Sequence, residues 1–370
     1  GSVLIKEIVK KLSIDPSEVS ETIIGQVLTA GQGQNPARQA HLNAGLHKSS
    51  PSLSVNQVCG SGLRAVSLGT QHIKLGEAKI ILAGGQESMS MSPHLSNIRF
   101  GKKMGNSILE DSMIKDGLWD AFYDYHMGIT AENIAEKWQI SRKQQDEFAV
   151  FSQNKAEKAL ENGSFNDEIV PVEIISKKDK ILFDKDEYIK KNVTIESISR
   201  LRPAFKKDGT VTAANSSGLN DGAAIIALTD LETAKEKNFN ILGKIVSYAS
   251  VGLDPRFMGM GPVEASKKAA VHKNIISFLK GYKTILGERG VTLSGGQIQR
   301  ISIARAIVKN SKILLLDDCL SAVDTDTEEE ILKNLKSYTK NKTTIIVSHR
   351  ISSLKHANQI IVFENGQIVQ

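Results

Sequence analysis

Residues 52–63 constrain the fold of this chain more than any other stretch of its sequence. Polar and apolar residues alternate over Ser52–Val55, which predicts a strand, and a helical periodicity begins at Leu63. Cys59 stands between them in a glycine-lined turn, so the strand brings a thiol to the N-terminus of a helix. There, unpaired backbone N–H groups and the helix dipole favour an anion. Cys59 is therefore a candidate nucleophile, with a small buried apolar residue as the alternative that is more common for a lone cysteine.

The composition predicts a globular chain of two or three domains, because 370 residues are enough to bury several cores. The net charge of +6 is mild, and no basic patch interleaved with aromatic residues predicts nucleic-acid binding. The two cysteines are far apart, which favours a reducing compartment over a disulfide framework. No apolar run approaches the roughly 20 residues that span a bilayer. We therefore expect a cytoplasmic protein.

Strand and helix patterns alternate over the first part of the chain, which predicts a layered α/β fold. The strand at residues 78–83 is expected to end at the two glycines that follow it. We predict helices over residues 38–48, 62–75, 129–138 and 141–162, and strands over residues 78–83 and 223–228.

Seven motifs of this sequence resemble those of the thiolase family, the acetyl-CoA acetyltransferases in particular, and they occur in the family's order. The resemblance covers residues 1 to about 271 and stops abruptly near residue 272. The motifs are GQNPARQ at 33–39, NQVCGSG at 56–62, AGGQESMS at 83–90, YHMG at 125–128, RPAFKKDGTVT at 202–212, NSSGLNDGA at 215–223 and MGMGP at 258–262.

The resemblance implies a partial thiolase fold, layered α/β with a large loop domain. Residues 1–235 would form the N-terminal thiolase domain without its first strand, and this domain includes the loop domain at about 88–211. Residues 236–271 would begin a truncated C-terminal thiolase domain. In the family the first strand lies within a sheet, so we expect its absence to leave unpaired strand edges and an uncovered core.

The same resemblance assigns candidate site residues. Cys59 matches the nucleophile that carries the acyl group as a thioester, and the physical interpretation of its turn agrees. His126 matches a residue close to the acyl site, with a hydrogen-bonded structural histidine as the alternative. Ser217 and Gly218 match positions that contact the pantetheine arm, although a tight turn explains them equally well. Met258 matches a residue that lines the acyl pocket, and a core methionine is nearly as good an explanation.

The implied substrate is a small-molecule acyl-CoA, coenzyme A or acetyl-CoA itself, with no tightly bound cofactor. The implied partner is a second copy of the chain, in a dimer or tetramer. Full thiolase chemistry also needs a histidine in a Gly-His-Pro motif and a second cysteine in a Cys-x-Gly-Gly-Gly motif, and this sequence contains neither. We therefore expect no Claisen condensation from the chain, and transient acylation of Cys59 at most.

From His272 onward the sequence resembles the C-terminal half of an ABC transporter ATP-binding domain, a P-loop NTPase half-domain of α/β class at residues 272–370. Strands are predicted over 313–316 and over Thr343–Val347. The four motifs that carry this resemblance are TLSGGQIQR at 292–300, ILLLDD at 313–318, SAVD at 321–324 and SHR at 348–350.

This second resemblance implies nucleotide-related residues. Asp317 would hold Mg²⁺, Asp318 stands where the family has a glutamate base, and His349 would contact a γ-phosphate. Aspartate is one methylene shorter than glutamate, which suggests the degenerate half of a heterodimeric exporter as the source. The sequence lacks the motif G-x-x-x-x-G-K-[ST], so ATP and Mg²⁺ are expected only if a partner supplies that loop. The signature residues themselves are Ser294, Gly295, Gly296 and Gln297.

Three hypotheses follow from the sequence. The first is an acyltransferase of the thiolase class that is catalytically incomplete. The second is a fragment of the ATP-binding subunit of an ABC exporter, which would meet a membrane only indirectly, through its transporter partner. The third is a non-functional fusion or assembly chimera, because no Pro/Gly/Ser-rich linker separates the two parts.

Overall fold

A computed structural model describes residues 1–175 and 180–269. Beyond these it describes residues 313–317, 332, 343–348, 354, 357–364 and 367–368. The chain divides into two compact units. The first comprises Gly1–Ile241 with Asp254–Gly259, and the second comprises Leu242–Leu253 with Met260–Gln370.

The first unit opens with alternating helices and strands. Pro36 stands in the first turn of the second helix, where its missing N–H costs nothing. In chain order these elements are α1 Ser2–Lys11, β1 Glu21–Gly25, α2 Pro36–Asn43, β2 Ser52–Val55, α3 Ser61–Lys74 and β3 Ile80–Ser88.

The chain then forms a long excursion made of helices and two-stranded ribbons before it returns to the sheet. The longest helix of this part, over Arg142–Glu161, begins with a capping box, since Ser141 and Gln144 exchange side-chain-to-backbone hydrogen bonds. In chain order the elements are β4 His94–Leu95, β5 Glu110–Asp111, β6 Trp119–Asp120, β7 Tyr125–His126, α4 Met127–Lys137, α5 Arg142–Glu161, β8 Val172–Ile175, β9 Lys180–Phe183, α6 Ile195–Ile198, β10 Asp221–Thr229 and α7 Leu231–Glu236.

One four-stranded sheet organises the first unit, in the order β10–β3–β1–β2. β1 lies parallel to both β2 and β3, while β10 runs antiparallel to β3 along its whole length. The carboxyl ends of β1, β2 and β3 therefore meet at one edge of the sheet, the edge at which open α/β sheets usually bind ligands.

Each face of the sheet is covered by helices. Successive strand side chains point to opposite faces, so Ile80 and Leu82 join the core beneath α1 and α2, with Ile5 among its buried members. On the other face α3 approaches so closely that a Cβ on its Gly69 would lie 3.1 Å from the side chain of Ile81. Burial of these apolar side chains is the main stabilising contribution to this unit.

The expectation of unpaired strand edges inside the sheet is wrong for the described residues. β1 pairs with β2 on one side and directly with β3 on the other, in register from Glu21 opposite Ile81 to Gly25 opposite Gly85. The exposed sheet edges are instead β2 and β10. Because β1 bonds on both sides, no gap interrupts the ladder between β2 and β3.

Two predicted boundaries also differ from the structure. The strand expected over residues 78–83 continues through Gly84 to Ser88, because a residue without a Cβ lets the backbone of Ala224 on β10 approach closely. The helix expected over residues 38–48 ends earlier, as α2, since Gly45 adopts a left-handed conformation with φ of 88°.

In the second unit, residues 242–253 contain neither helix nor strand, and α8 spans Gly261–Lys268. Ser247 donates a hydrogen bond to the carbonyl of Ala269 at 3.2 Å, which joins the two ends of this segment. Further on, β11 Ile313–Asp317 lies parallel to β12 Thr343–Val347, so both strands predicted there are present. A two-residue ribbon of β13 Phe363–Glu364 and β14 Gln367–Ile368 follows.

The ABC-type interpretation of residues 272–370 stays a prediction, as do the domain boundaries at 235 and 271. Only the backbone of Asp317 is described among the residues assigned to the nucleotide. The others lie outside the described residues, namely Ser294, Gly295, Gly296, Gln297, Asp318 and His349. Among the helices that the structure does describe, none has the length and apolar character needed to cross a bilayer.

His41 makes the stability of the first unit dependent on pH. Its ring is fully buried, with Nε2 3.0 Å from the carbonyl of His47 and Nδ1 2.8 Å from the Thr22 hydroxyl. The carbonyl can only accept, so Nε2 carries the proton of a neutral ring. Burial lowers the pKa of His41, and the positive charge of Arg38 lowers it further.

Because the folded pKa lies below the unfolded value of about 6.5, the unfolded chain binds more protons in mild acid. We expect stability to fall as pH drops through about 6.5, by up to about 1.4 kcal/mol per pH unit for this one group. Urea unfolding at several pH values measures the slope. His41→Gln should flatten it, and His47→Gln, at an exposed position, should not. Equal slopes in the parent and His41→Gln would contradict the assignment.

Candidate active site

Cys59 lies in a tightly hydrogen-bonded turn between β2 and α3. The N–H of Gly60 donates to the carbonyl of Gln57 at 3.0 Å. The buried hydroxyl of Ser61 accepts from the N–H of Gln57 at 2.8 Å and donates to the carbonyl of Val58 at 2.6 Å. These bonds fix the backbone on both sides of the cysteine, while its own side chain is exposed.

The residue before the cysteine is conformationally strained. Val58 has φ of 48°, a left-handed conformation that a β-branched side chain rarely adopts. The side-chain oxygen of Asn56 accepts the N–H of Val58 at 2.8 Å and helps to hold it there. Strain of this kind costs on the order of 1–3 kcal/mol and persists where the surrounding structure enforces it, often at functional sites.

The thiol stands just before the N-terminus of α3. Gly60 is the N-cap residue and caps the helix without a side-chain hydrogen bond, so an anion there meets the positive end of the helix. The helix start is pressed against β1, since a Cβ on Gly25 would lie 2.5 Å from the backbone nitrogen of Gly62. The predicted strand–turn–helix unit is therefore present, at the carboxyl edge of the sheet.

His126 caps the N-terminus of α4 with its ring. Its Nδ1 accepts the N–H of Gly128 at 3.0 Å, and the ring stacks on Phe205 with centroids 4.7 Å apart and planes 19° from parallel. Burial lowers the pKa of His126 below its usual value. The neutral ring with an occupied Nδ1 carries its proton on Nε2, which forms no hydrogen bond within the described part of the chain. The structural role and the predicted site role are compatible in this geometry.

Ser217 and Gly218 lie in a loop that a network of polar side chains holds in place. The side-chain oxygen of Asn215 accepts the N–H of Thr212 at 2.7 Å, and its Nδ2 donates to Asp146 of α5 at 2.9 Å. Ser217 is exposed, and Gly218 packs so closely on a tyrosine ring that it has no room for a Cβ.

Met258 lies in a short 3₁₀ segment, Pro255–Met260, with its side chain 37% exposed. It is therefore not a core methionine in the described chain. The segment is docked on α4, where Asn133 donates to the carbonyl of Arg256 at 3.3 Å and Ile134 packs against Gly259. Met258 is thus held near the helix that His126 begins.

The structure brings the candidate residues together in two groups. His126, the loop with Ser217 and Gly218, and the segment with Met258 all gather around α4. Among the described residues, no hydrogen bond or ring contact joins Cys59 to that group. Four residues in these contacts were not predicted, because no local sequence pattern pairs positions so far apart: Glu132, Asn215, Phe205 and Tyr188, whose ring packs on Gly218.

Within the described part of the chain, no group of three or more His, Cys, Asp or Glu side chains is arranged to hold a metal ion. Chemically, the first group offers an exposed thiol at a helix N-terminus, and the second offers a neutral imidazole and a loop with exposed polar atoms. An exposed thiol in this position is suited to nucleophilic attack by sulfur on a carbonyl.

Comparison with known proteins identifies the family. The thiolase N-terminal domain matches residues 1–232 of this chain. The chain belongs to the thiolase family. An acetyl-CoA acetyltransferase from Paracoccus denitrificans is 58% identical over 269 residues, which cover 73% of this chain and 69% of the relative. One from Rhizobium meliloti is 55% identical over 269 residues, covering 73% and 68%.

Solved structures show the same thiolase fold. The acetyl-CoA acetyltransferase of Bacillus anthracis matches with a TM-score of 0.70 at 32% identity, covering 95% of this chain and 81% of that one. The acetyl-CoA acetyltransferase from Syntrophomonas wolfei matches with a TM-score of 0.69 at 39% identity, covering 73% and 69%. The α/β thiolase-like class predicted from the motifs is therefore confirmed.

Proposed function

We propose that this chain is an acyltransferase of the thiolase class whose Cys59 accepts an acetyl group from acetyl-CoA. The thiolate sulfur attacks the carbonyl carbon, the bond from that carbon to the sulfur of coenzyme A breaks, and coenzyme A leaves as a thiolate that takes a proton from solvent. The product is an acetyl thioester on Cys59. The observation that carries the proposal is the exposed Cys59 beside the strained Val58 at the N-terminus of α3.

The residues around α4 are proposed to hold the acyl-CoA. The free Nε2–H of His126 is suited to donate to a carbonyl oxygen of the substrate. Ser217 and Gly218 are proposed to contact the pantetheine arm, and Met258, partly exposed, to line the acyl pocket. No tightly bound cofactor enters this scheme, and acetyl-CoA is a substrate.

We further propose that the polypeptide of residues 1–370 stops at the acyl-enzyme, because its sequence lacks the Gly-His-Pro and Cys-x-Gly-Gly-Gly motifs. An oligomer of this chain, a cytoplasmic location and an ATP-related role for residues 272–370 stay predictions. The parallel pair β11 and β12 is compatible with that last interpretation.

Acetylation of Cys59 tests the proposal directly. The chain is incubated with acetyl-CoA, digested in mild acid and analysed by mass spectrometry, and the expected result is one acetyl group on the peptide that contains Cys59. Prior incubation with acetyl-CoA should also slow the labelling of Cys59 by iodoacetamide. Coenzyme A without an acetyl group is the control for acetylation. The proposal would be overturned if Cys59 were not acetylated, and equally if acetyl-CoA did not protect Cys59 from iodoacetamide.

A further inference from the structure

Glu132, on α4, is a buried acid. Its side chain is 5% exposed, and it forms no ion pair among the described residues. Its two oxygens instead accept the N–H of Thr210 at 2.8 and 2.9 Å, the Thr210 hydroxyl at 2.9 Å and the N–H of Val211 at 2.8 Å. Hydrogen bonds to a charged acceptor are stronger than neutral ones, and here they offset the cost of burial.

The loop of residues 204–218 is shaped to reach this acid. Gly209 packs so tightly against the Glu132 side chain that a Cβ would collide with it. The N–H of Ala204 donates to the carbonyl of Val211 at 2.9 Å and closes the first part of the loop. The loop therefore approaches α4 as a preformed turn with its backbone donors directed at one carboxylate.

The same loop also contacts the N-terminus of α4. The Phe205 ring stacks on His126 and covers Gly128, where a Cβ would not fit. Further along, Asn215 bonds both the carbonyl of Thr210 at 3.0 Å and the side chain of Asp146 on α5. The loop is thus held on α4 at Glu132 and at His126, and on α5 at Asp146.

We infer that Glu132 is a positioning residue of the acyl-CoA site, which anchors the 204–218 loop on α4 and so sets the spacing between His126 and the Ser217–Gly218 turn. This inference rests on the proposed function. Glu132 touches neither Cys59 nor the proposed substrate-facing atoms in any hydrogen bond of the described residues, so its effect is on binding and not on the thiol itself.

Glu132→Gln tests this inference, because it keeps the side-chain shape but directs an amide N–H₂ at the donors of Thr210 or Val211. We expect the acetyl-CoA concentration that half-protects Cys59 from iodoacetamide to rise about tenfold or more. The rate of labelling without acetyl-CoA should stay within about twofold, because the turn of Cys59 is separate. A residue needed only for stability would lower the melting temperature and leave that half-protecting concentration unchanged, which would overturn the inference.

Glu136→Gln is the matched control. Glu136 lies one turn further along α4, is exposed and pairs with Lys206 at 3.4 Å, so its loss should change protection by less than about twofold.

If Glu132→Gln does not fold, Thr210→Val removes one hydroxyl donor and leaves both backbone donors. It should weaken protection about threefold, and an unchanged value would overturn the inference. Lack of protection in the parent chain would overturn the proposed function as well, whereas equal protection of parent and Glu132→Gln would overturn only the positioning role.

Discussion

Replacing Cys59 with serine is expected to abolish acetylation of the chain by acetyl-CoA, with a rate at least roughly 10³-fold below that of the parent. The attacking species is a thiolate, and a serine hydroxyl attacks only with help from an adjacent base. No hydrogen bond of the described residues reaches the side chain at position 59, so a serine there would have no such base among those residues. Transfer of a radiolabelled acetyl group from acetyl-CoA to the protein measures the rate.

The chain offers its own matched control for that experiment. Cys319 is the other cysteine, and Cys319→Ser should retain full acetylation. Because Cys59 is exposed, Cys59→Ser should melt at the parent temperature, so any lost label reflects chemistry and not unfolding. Equal labelling of the parent and Cys59→Ser would assign the acetyl group to another residue and contradict the proposal.

The turn that holds Cys59 could be predicted from the sequence because its signals are local. The alternation over Ser52–Val55, the glycine after Cys59 and the helical periodicity up to Lys74 all lie within about two dozen residues. Local hydrogen bonds then fix the turn, so little tertiary information is needed. The strain at Val58 was not predicted, since no local sequence pattern indicates a left-handed conformation at a valine.

The contacts around α4, where substrate binding is proposed, could not be predicted to the same depth, because they join distant segments. Glu132 in a helical pattern is indistinguishable from any surface glutamate until Thr210 is placed beside it. The pairing of β1 directly with β3 is likewise a tertiary outcome, as backbone hydrogen bonds form between whichever strands become neighbours. The motifs indicated which segments contain the candidate site residues, and only the three-dimensional structure shows which contacts hold those segments together.

Claisen condensation by the polypeptide of residues 1–370 is expected to be undetectable. A complete thiolase site uses a histidine to activate the nucleophile and a second cysteine to move the α-proton, and each such acid–base group contributes roughly 10²- to 10⁴-fold. Without both, the rate should fall roughly 10⁴-fold or more below that of a complete enzyme. None of the eight histidines here precedes a proline, and Cys319 precedes Leu320, not the required glycines. Acetoacetyl-CoA turnover, in either direction, is the measurement.

The difficulty in that assay is contamination by the expression host's own enzymes, and Cys59→Ser resolves it. Any turnover that persists in Cys59→Ser, purified alongside the parent, belongs to a contaminant. Turnover present in the parent and lost in Cys59→Ser would contradict the expectation. It would mean that acid–base groups other than the histidine and the second cysteine of a complete thiolase assist Cys59. Acetylation without turnover is the expected pair of results. It would separate the two halves of the thiolase reaction, because forming the thioester needs an activated sulfur and a carbonyl, whereas condensation also needs a carbanion that only a positioned base can generate.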